Sequence, residues 1–475
     1  MTQSQFARNV HRALEDSQLQ KALHTARPGF IAKRAAAAAR LPEFEALRDS
    51  ARDIKAYTLA HLDLYLEAYE KKVTGSGGVV HYARTAEAAN EIVLGICRRH
   101  GATRVVKGKT MIGEEIGVNA ALEANGIDPV ETDLGEYIIQ LRRETPSHII
   151  APAVHLSKEQ VAADFRRAHL HLPDARDLTD AKALLAEARG VLREKFLVAE
   201  VGITGANFLV AETGTSIIVT NEGNGDLAET LPNVHIVLAS IEKLVPTLED
   251  VAQLLRVLAR SATGQDMSVY TTFATGPRRA DDPDGPREYH VVLLDNGRSA
   301  MLGSDFAEVL RCIRCGACMN HCPVYQSIGG HAYGSVYPGP MGAVMTPSLV
   351  GIEESIDLPN ASTFCGACES VCPVRIPLPK MMRHWRERAF ERRLVPARQR
   401  FGLAFWGFFA KRPTLYRMAT RAAMGALALL DSENGRFRSL PLAKGWTASR
   451  DFPAPEGDTF QAQFARRSQA KEKPR

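Results

Sequence analysis

Seven of the chain's eight cysteines lie between positions 312 and 372, in two blocks of fixed spacing. The first reads Cys312-Ile-Arg-Cys315-Gly-Ala-Cys318-Met-Asn-His-Cys322-Pro323, the second Cys365-Gly-Ala-Cys368-Glu-Ser-Val-Cys372-Pro373. A chain that gathers its thiols in this way organises the region around metal, with apolar burial secondary. Cys-x2-Cys-x2-Cys-x3-Cys-Pro is the spacing by which a loop wraps three thiolates about a cubic iron–sulfur cluster and passes the fourth cysteine to another. Zinc needs four ligands in two close pairs, which leaves Cys318 and the two Cys-Pro endings without a role. The expectation is two [4Fe–4S] clusters. The crossing-over rule gives Cys312, Cys315, Cys318 and Cys372 to the first and Cys322, Cys365 and Cys368 to the second.

The second set is one ligand short, because the position three before Cys365 is Ser362. Three solutions stay open: Ser362 ligates through oxygen, a water or another residue does so, or the iron is lost and the site becomes [3Fe–4S]. Two adjacent clusters suit electron transfer, and a purely structural staple is the alternative. The eighth cysteine, Cys97, stands among Ile92, Val93 and Ile96 on a predicted helix and reads as a buried core thiol.

At 475 residues the chain is long enough for several domains, and its net charge of +5 is too small to imply nucleic acid. The N-terminus has no apolar core of a signal peptide. The most apolar late stretch, 401–430, is broken by Lys411-Arg412-Pro413, Arg417 and Arg421, so no transmembrane segment is expected. Clustered thiols at ligand spacing fit a reducing, cytoplasmic setting.

Four segments follow from the patterning: 1–74 helical, 75–305 alternating strands and helices, 306–394 the cluster region, and 395–475 an amphipathic tail with a polar, disordered end from Arg466. In the second segment, strands are predicted at 79–83, 104–107, 208–211, 216–220, 235–239, 267–273 and 289–294, with further extended segments near Pro129–Thr132 and His148–Ala151. Helices are predicted at 85–100, 114–124, 180–195 and 248–260, and Ser157 with Gln160 forms a capping box. Such alternation argues for an open sheet covered on both faces, binding ligands beyond the C-terminal ends of its strands.

One passage of this segment is dense in glycine and polar side chains. Gly202, Gly205, Gly214, Gly223 and Gly225 are expected in tight turns. Beside them stand Asn207, Glu212, Thr213, Thr215, Asn221, Glu222 and Asn224, which can line a pocket for a small carboxylate or a phosphate. Glu212 is the foremost candidate base, with Asn221 and Glu222 as further catalytic candidates. No Walker A motif and no Gly-x-Gly-x-x-Gly after a strand supports nucleotide or flavin binding. Between Lys380 and Arg400, eight Lys or Arg face only Glu387 and Glu391. This basic helix is either a solvated face or a docking surface for an acidic partner or membrane headgroups, with Trp385, Phe401, Phe405, Trp406 and Phe408 as apolar anchors. The loop Gly329–Pro340, rich in Gly, Pro and Tyr, is expected to pack over the clusters.

The passage Gly205–Gly225 resembles the signature of the LUD (lactate-utilization) domain, and Thr132–Tyr137 and Val245–Asp250 resemble further parts of it. Cys318–Tyr325, Gly329–Gly334, Tyr337–Pro340 and Phe452–Gly457 are similar to the lactate utilization protein B family, so the resemblance covers nearly the whole chain. It implies an α/β LUD domain of the CoA-transferase and sugar-phosphate-isomerase fold group, joined to an α-helical ferredoxin-type domain with two clusters. It further implies an iron–sulfur subunit of an L-lactate-oxidising system, working with two other lactate-utilization proteins, one cysteine-rich and one with a lone LUD domain. The family's second block also has three cysteines. A self-contained 2-hydroxy-acid oxidoreductase and a structural or regulatory cluster protein are the competing functions.

Overall fold

The computed structural model describes residues 3–173, 175–430, 435–440, 443–447, 450–455 and 458–471. It divides into two compact units, Met1–Ala389 and Phe390–Arg475.

Among its described residues the larger unit is built on ten strands: β1 (Val79–Ala83), β2 (Arg104–Lys107), β3 (Asp128–Glu131), β4 (Val201–Gly205), β5 (Phe208–Val210), β6 (Thr215–Thr220), β7 (Val234–Ser240), β8 (Leu244–Val245), β9 (Tyr270–Ala274) and β10 (Glu288–Leu294). Six form a parallel sheet in the order β1-β10-β7-β4-β2-β3. Every residue of β7 is buried, as a central parallel strand covered on both faces requires. Its alternate residues enter different cores. Ile236 and Leu238 pack with Val93, Ile96 and Leu122 on one side, while Val237 and Ala239 pack with Tyr69 and Leu209 on the other. Cys97 lies in the first of these cores, wholly buried, where desolvation pushes its thiol up to about 12.

A four-stranded sheet, β8-β5-β6-β9, carries the glycine-rich passage as the antiparallel β5–β6 hairpin. Of the five glycines expected in turns, only Gly214, between these strands, has a positive φ, 75°. Gly202 and Gly205 lie inside β4, a strand that the glycines concealed. Gly202 is there for close approach: a Cβ on it would come within 1.7 Å of the Ala228 carbonyl oxygen on the helix Asn224–Thr230. Gly225 lies in that same helix, and Gly223 is its N-cap.

Other boundaries also shift. The helix expected over 114–124 is two, Met111–Ile116 and Val118–Glu123, divided at Gly117 with φ 64°. The N-terminal segment, helical as expected, is described as four helices, Gln3–Glu15, Ser17–Ala39, Phe44–Ala60 and Leu62–Gly75, and the break at His61 resets the phase of the last and leaves Leu64 exposed. The helix Leu134–Arg142, absent from the sequence reading, starts on an Asp133 cap, and the capping box at Ser157 forms as expected. Residues 148–150 make bends and 151 is irregular, so no strand forms there.

In the second unit, helices Ala397–Ala410 and Pro413–Ala428 bury no residue, and Phe401, Phe405, Trp406 and Phe408 stay exposed. Helix Phe460–Lys471 replaces the disorder expected from Arg466; positions 472–475 lie outside the described residues. No helix among the described residues is long and apolar enough to cross a membrane.

Candidate functional site

The two cysteine blocks fold as copies of one loop. Arg314 and Phe364, each one residue before a Cys-Gly-Ala-Cys run, take positive φ (59° and 54°), and the glycines that follow do so as well (72° and 80°). A single helical turn then carries the next cysteine, at Ala317–Asn320 and Ala367–Ser370. In the first loop the reversal aims a backbone amide inward, Arg314 N donating to Cys312 Sγ at 3.4 Å; beyond the second loop, next to Arg375 with φ 51°, Ile376 N donates to Cys372 Sγ at 3.4 Å.

Cys312, Cys315, Cys318 and Cys372 line one cavity of about 20 Å³, closed by Ile149, Met319, Met341 and Val374. Burial and the neighbouring thiols push Cys315 and Cys318 upward. Four crowded sulfur donors, Cys315 and Cys372 buried and Cys312 and Cys318 half-buried, are what a cationic cluster core needs as ligands, so the donor set fits the group. The remaining three interact as a second group: Cys322 acts on Cys368, which desolvation and this neighbour push up to about 12, and Cys365 acts on Cys322. Cys365 is exposed where Cys315 is buried, so the two loops differ in access to solvent. The Ser362 hydroxyl accepts from Phe364 N at 3.1 Å, and the hydroxyl that reaches Cys365 is Thr363.

Arginines from the N-terminal helices hold the second block in place. Arg34 donates to Val371 O at 2.9 Å, and Arg48 to Cys372 O at 2.8 Å and Ser370 O at 2.6 Å. The loop 329–340 packs inward through Tyr333 and Tyr337, both wholly buried. Trp385 is not a surface anchor: it is buried, stacked on Phe306 at 4.0 Å, and donates to Val344 O. The basic run is likewise not one helix, since helix Leu378–Glu391 ends before the next begins at Ala397. Within the run, Arg386 is tied to Pro359 O at 2.9 Å and lies over the Phe364 ring.

Beyond the C-terminal ends of β2, β4 and β7 opens a cleft of about 260 Å³, the position where open parallel sheets place ligands. Asn207, Asn221, Glu222 and Asn224 line it. Glu212 does not. It sits exposed at the hairpin turn and accepts from Leu248 N at 3.2 Å, a helix cap at the far end of β6 from Asn221. Six residues of strand separate the two ends by roughly 20 Å. Glu222 is held by the Leu134 amide, and desolvation together with Asp133 raises its carboxyl.

The cleft's cations were not legible in the sequence: Lys109, Lys243 and Arg314. Arg314 is the residue that joins the two sites, because it and Ile149 line both the cleft and the four-thiol cavity. Its guanidinium donates to Glu242 Oε1 at 3.2 Å and lies over the Tyr337 ring. Glu242 also pairs with Arg298 at 2.9 Å. Burial alone would raise Glu242, but Arg298, Arg314 and Lys243 hold it at about 2. The one sequence signal for Arg314 was its place between two closely spaced cysteines, Cys312 and Cys315.

An α/β domain whose cleft backs onto a ferredoxin-type cysteine module defines an iron–sulfur protein with an attached LUD domain. Family profiles agree: LUD domain matches residues 66–294, 4Fe-4S dicluster domain 308–376, and Lactate utilisation protein B, C-terminal 393–469. Lactate utilization protein B of Bacillus licheniformis is 41% identical over 469 residues, 98% of this chain and 97% of its own. Lactate utilization protein B of Shouchella clausii is 42% identical over 465 residues, 97% of each chain. The Escherichia coli protein named "Uncharacterized electron transport protein YkgF" is 41% identical over 469 residues, 98% of each. The chain belongs to the lactate utilization protein B family.

Proposed function

We propose that this chain is the cytoplasmic iron–sulfur electron-transfer subunit of a multi-protein system that oxidises L-lactate to pyruvate. That oxidation releases two electrons and two protons, and iron–sulfur clusters carry electrons singly, so a two-cluster relay matches the demand. The observation that carries the reading is the shared wall of Arg314 and Ile149 between the cleft and the four-thiol cavity. Cys312, Cys315, Cys318 and Cys372 would hold the inner cluster. Cys322, Cys365 and Cys368 would hold the outer one, with a non-cysteine fourth ligand. The exposure of Cys365 makes the outer block the side from which electrons leave for a partner. Partners are two further lactate-utilization proteins, one cysteine-rich and one with a lone LUD domain. The exposed Phe401, Phe405 and Trp406 beside Arg398 and Arg400 offer a surface for them or for membrane headgroups.

A second reading, a self-contained 2-hydroxy-acid oxidoreductase, is favoured by the cleft itself, with Glu222 as its base. Iron and acid-labile sulfide analysis with EPR of the anaerobic protein tests the cluster content: about seven or eight irons per chain are expected. About four irons, or zinc, would overturn the relay. Dye reduction by L-lactate with the chain alone, against the chain plus partners, separates the two readings.

A further inference from the structure

The cations of the cleft are not equivalent. Arg314 is committed to Glu242, and Lys109 donates to Ile150 O at 2.8 Å. Lys243 is only 7% exposed, lines the cleft, and is the one lining cation whose side chain has no hydrogen-bond partner among the described residues. A buried ammonium without an acceptor is costly, and native proteins satisfy such groups with a partner. The carboxylates of the cleft do not serve. Asp133 accepts from Glu136 N at 3.1 Å as a helix cap, and Glu222 is held by the Leu134 amide. Glu242, next in sequence, is taken by Arg298 and Arg314. What remains is one ammonium without a hydrogen-bond acceptor, in a pocket whose other walls include Ile149, Ile218, Leu238 and Leu258.

We propose that the cleft is a binding site for a small organic monocarboxylate, whose carboxylate sits on the Lys243 ammonium and whose carbon skeleton lies against the aliphatic wall. A single ammonium with free donors matches a monoanion better than a dianionic phosphate. Asn207, whose Oδ1 accepts from Val219 N at 2.9 Å, lines the same cleft and can donate from its amide nitrogen to a hydroxyl or oxo group on the neighbouring carbon. The class that combines these features is the 2-hydroxy and 2-oxo acids. Naming that class rests on the lactate reading above, whereas the carboxylate site itself does not.

The test uses the cluster-loaded full chain under anaerobic conditions. Binding of L-lactate, pyruvate, propionate and inorganic phosphate is measured by calorimetry for the wild type, Lys243→Met, Lys243→Arg and Lys109→Met. The expected result is carboxylate binding that falls at least tenfold in Lys243→Met, is partly kept in Lys243→Arg, and exceeds that of phosphate. Protection of Lys243 from acetylation by saturating L-lactate, read by peptide mass spectrometry, needs no variant. Unchanged affinity in Lys243→Met, tighter binding of phosphate, or no protection of Lys243 would overturn the site. Binding as expected, without cluster reduction when partner proteins are present, would instead overturn the electron-transfer reading and leave the site standing.

Discussion

Arg314 donates from its guanidinium to Glu242 at 3.2 Å while its backbone amide donates to the Cys312 sulfur at 3.4 Å. One residue therefore ties a thiol of the cysteine module to a carboxylate of the α/β domain. Glu242 stands just beyond β7, the central strand, and also pairs with Arg298, which is fully buried and binds Glu115 at 2.6 Å. The cysteine module is thus seated on the sheet through charge, in a place too buried for water to screen it.

Breaking that seat should be expensive. Glu242→Gln leaves Arg298 and Arg314 short of a counter-charge, and removing one partner of a buried ion pair costs about 3–5 kcal/mol. The variant is expected to shift its denaturation midpoint accordingly and to lose visible cluster absorbance faster in air. A midpoint within about 0.5 kcal/mol of wild type, on the ordinary scale of surface changes, would show that the pairing carries no net stability.

Two glycines in the same passage should behave oppositely. Gly202→Ala drives a methyl into the Ala228 carbonyl, and overpacking of this kind costs about 1–3 kcal/mol or more. Gly223 has open space around it and no positive φ, so Gly223→Ala should cost no more than about 1 kcal/mol as a lost N-cap preference. Thermal or urea melts of the pair check both. Equal effects would contradict the packing of helix Asn224–Thr230 on β4.

Glu229, on that helix, supplies a pH test away from the metal region. It is buried, Oε2 has no partner, and desolvation with Asp226 pushes its carboxyl up to about 8. In the unfolded chain a glutamate titrates near 4.3. The folded state therefore holds the proton more tightly. Its contribution is full below about pH 4 and is lost as pH rises toward 8, a fall of a few kcal/mol. Glu229→Gln removes the titration, so its stability relative to wild type should grow between pH 5.5 and 8 by about 3 kcal/mol. A pH-independent difference would refute the raised value.

The ligand sets give the sharpest spectroscopic contrast. Cys372→Ala should remove the signal of the inner cluster and spare the outer one, although Cys372 belongs in sequence to the second block. Cys322→Ala should do the converse. Loss following sequence blocks, Cys372 with Cys365 and Cys368, would contradict crossing over.

How much of this was legible in the sequence depended on whether the signal was local. Thiol spacing is a local geometric code, so the repeated loops could be read from Cys312 and Cys365 without any fold. Strand β4 was hidden because Gly202 and Gly205 read as turns, when their role is to admit Ala228 and Thr110 at close range. Glu212 looked like a base because it stood among polar residues; the hairpin puts it at the opposite end of a strand from Asn221. Trp385 read as a surface anchor within a basic run, and burial against Phe306 is a tertiary fact. Lys243 gave no signal, because its character comes from what Arg298 and Arg314 do to Glu242 beside it.

The most direct test is anaerobic reduction of the cluster-loaded chain by L-lactate together with its two partner proteins, followed by EPR. Reduced-cluster signals should grow with lactate, stop when Cys372→Ala replaces the wild type, and be accompanied by one pyruvate for about every two electrons. Pyruvate formation with both clusters still oxidised, or undiminished in Cys372→Ala, would show that electrons bypass this chain.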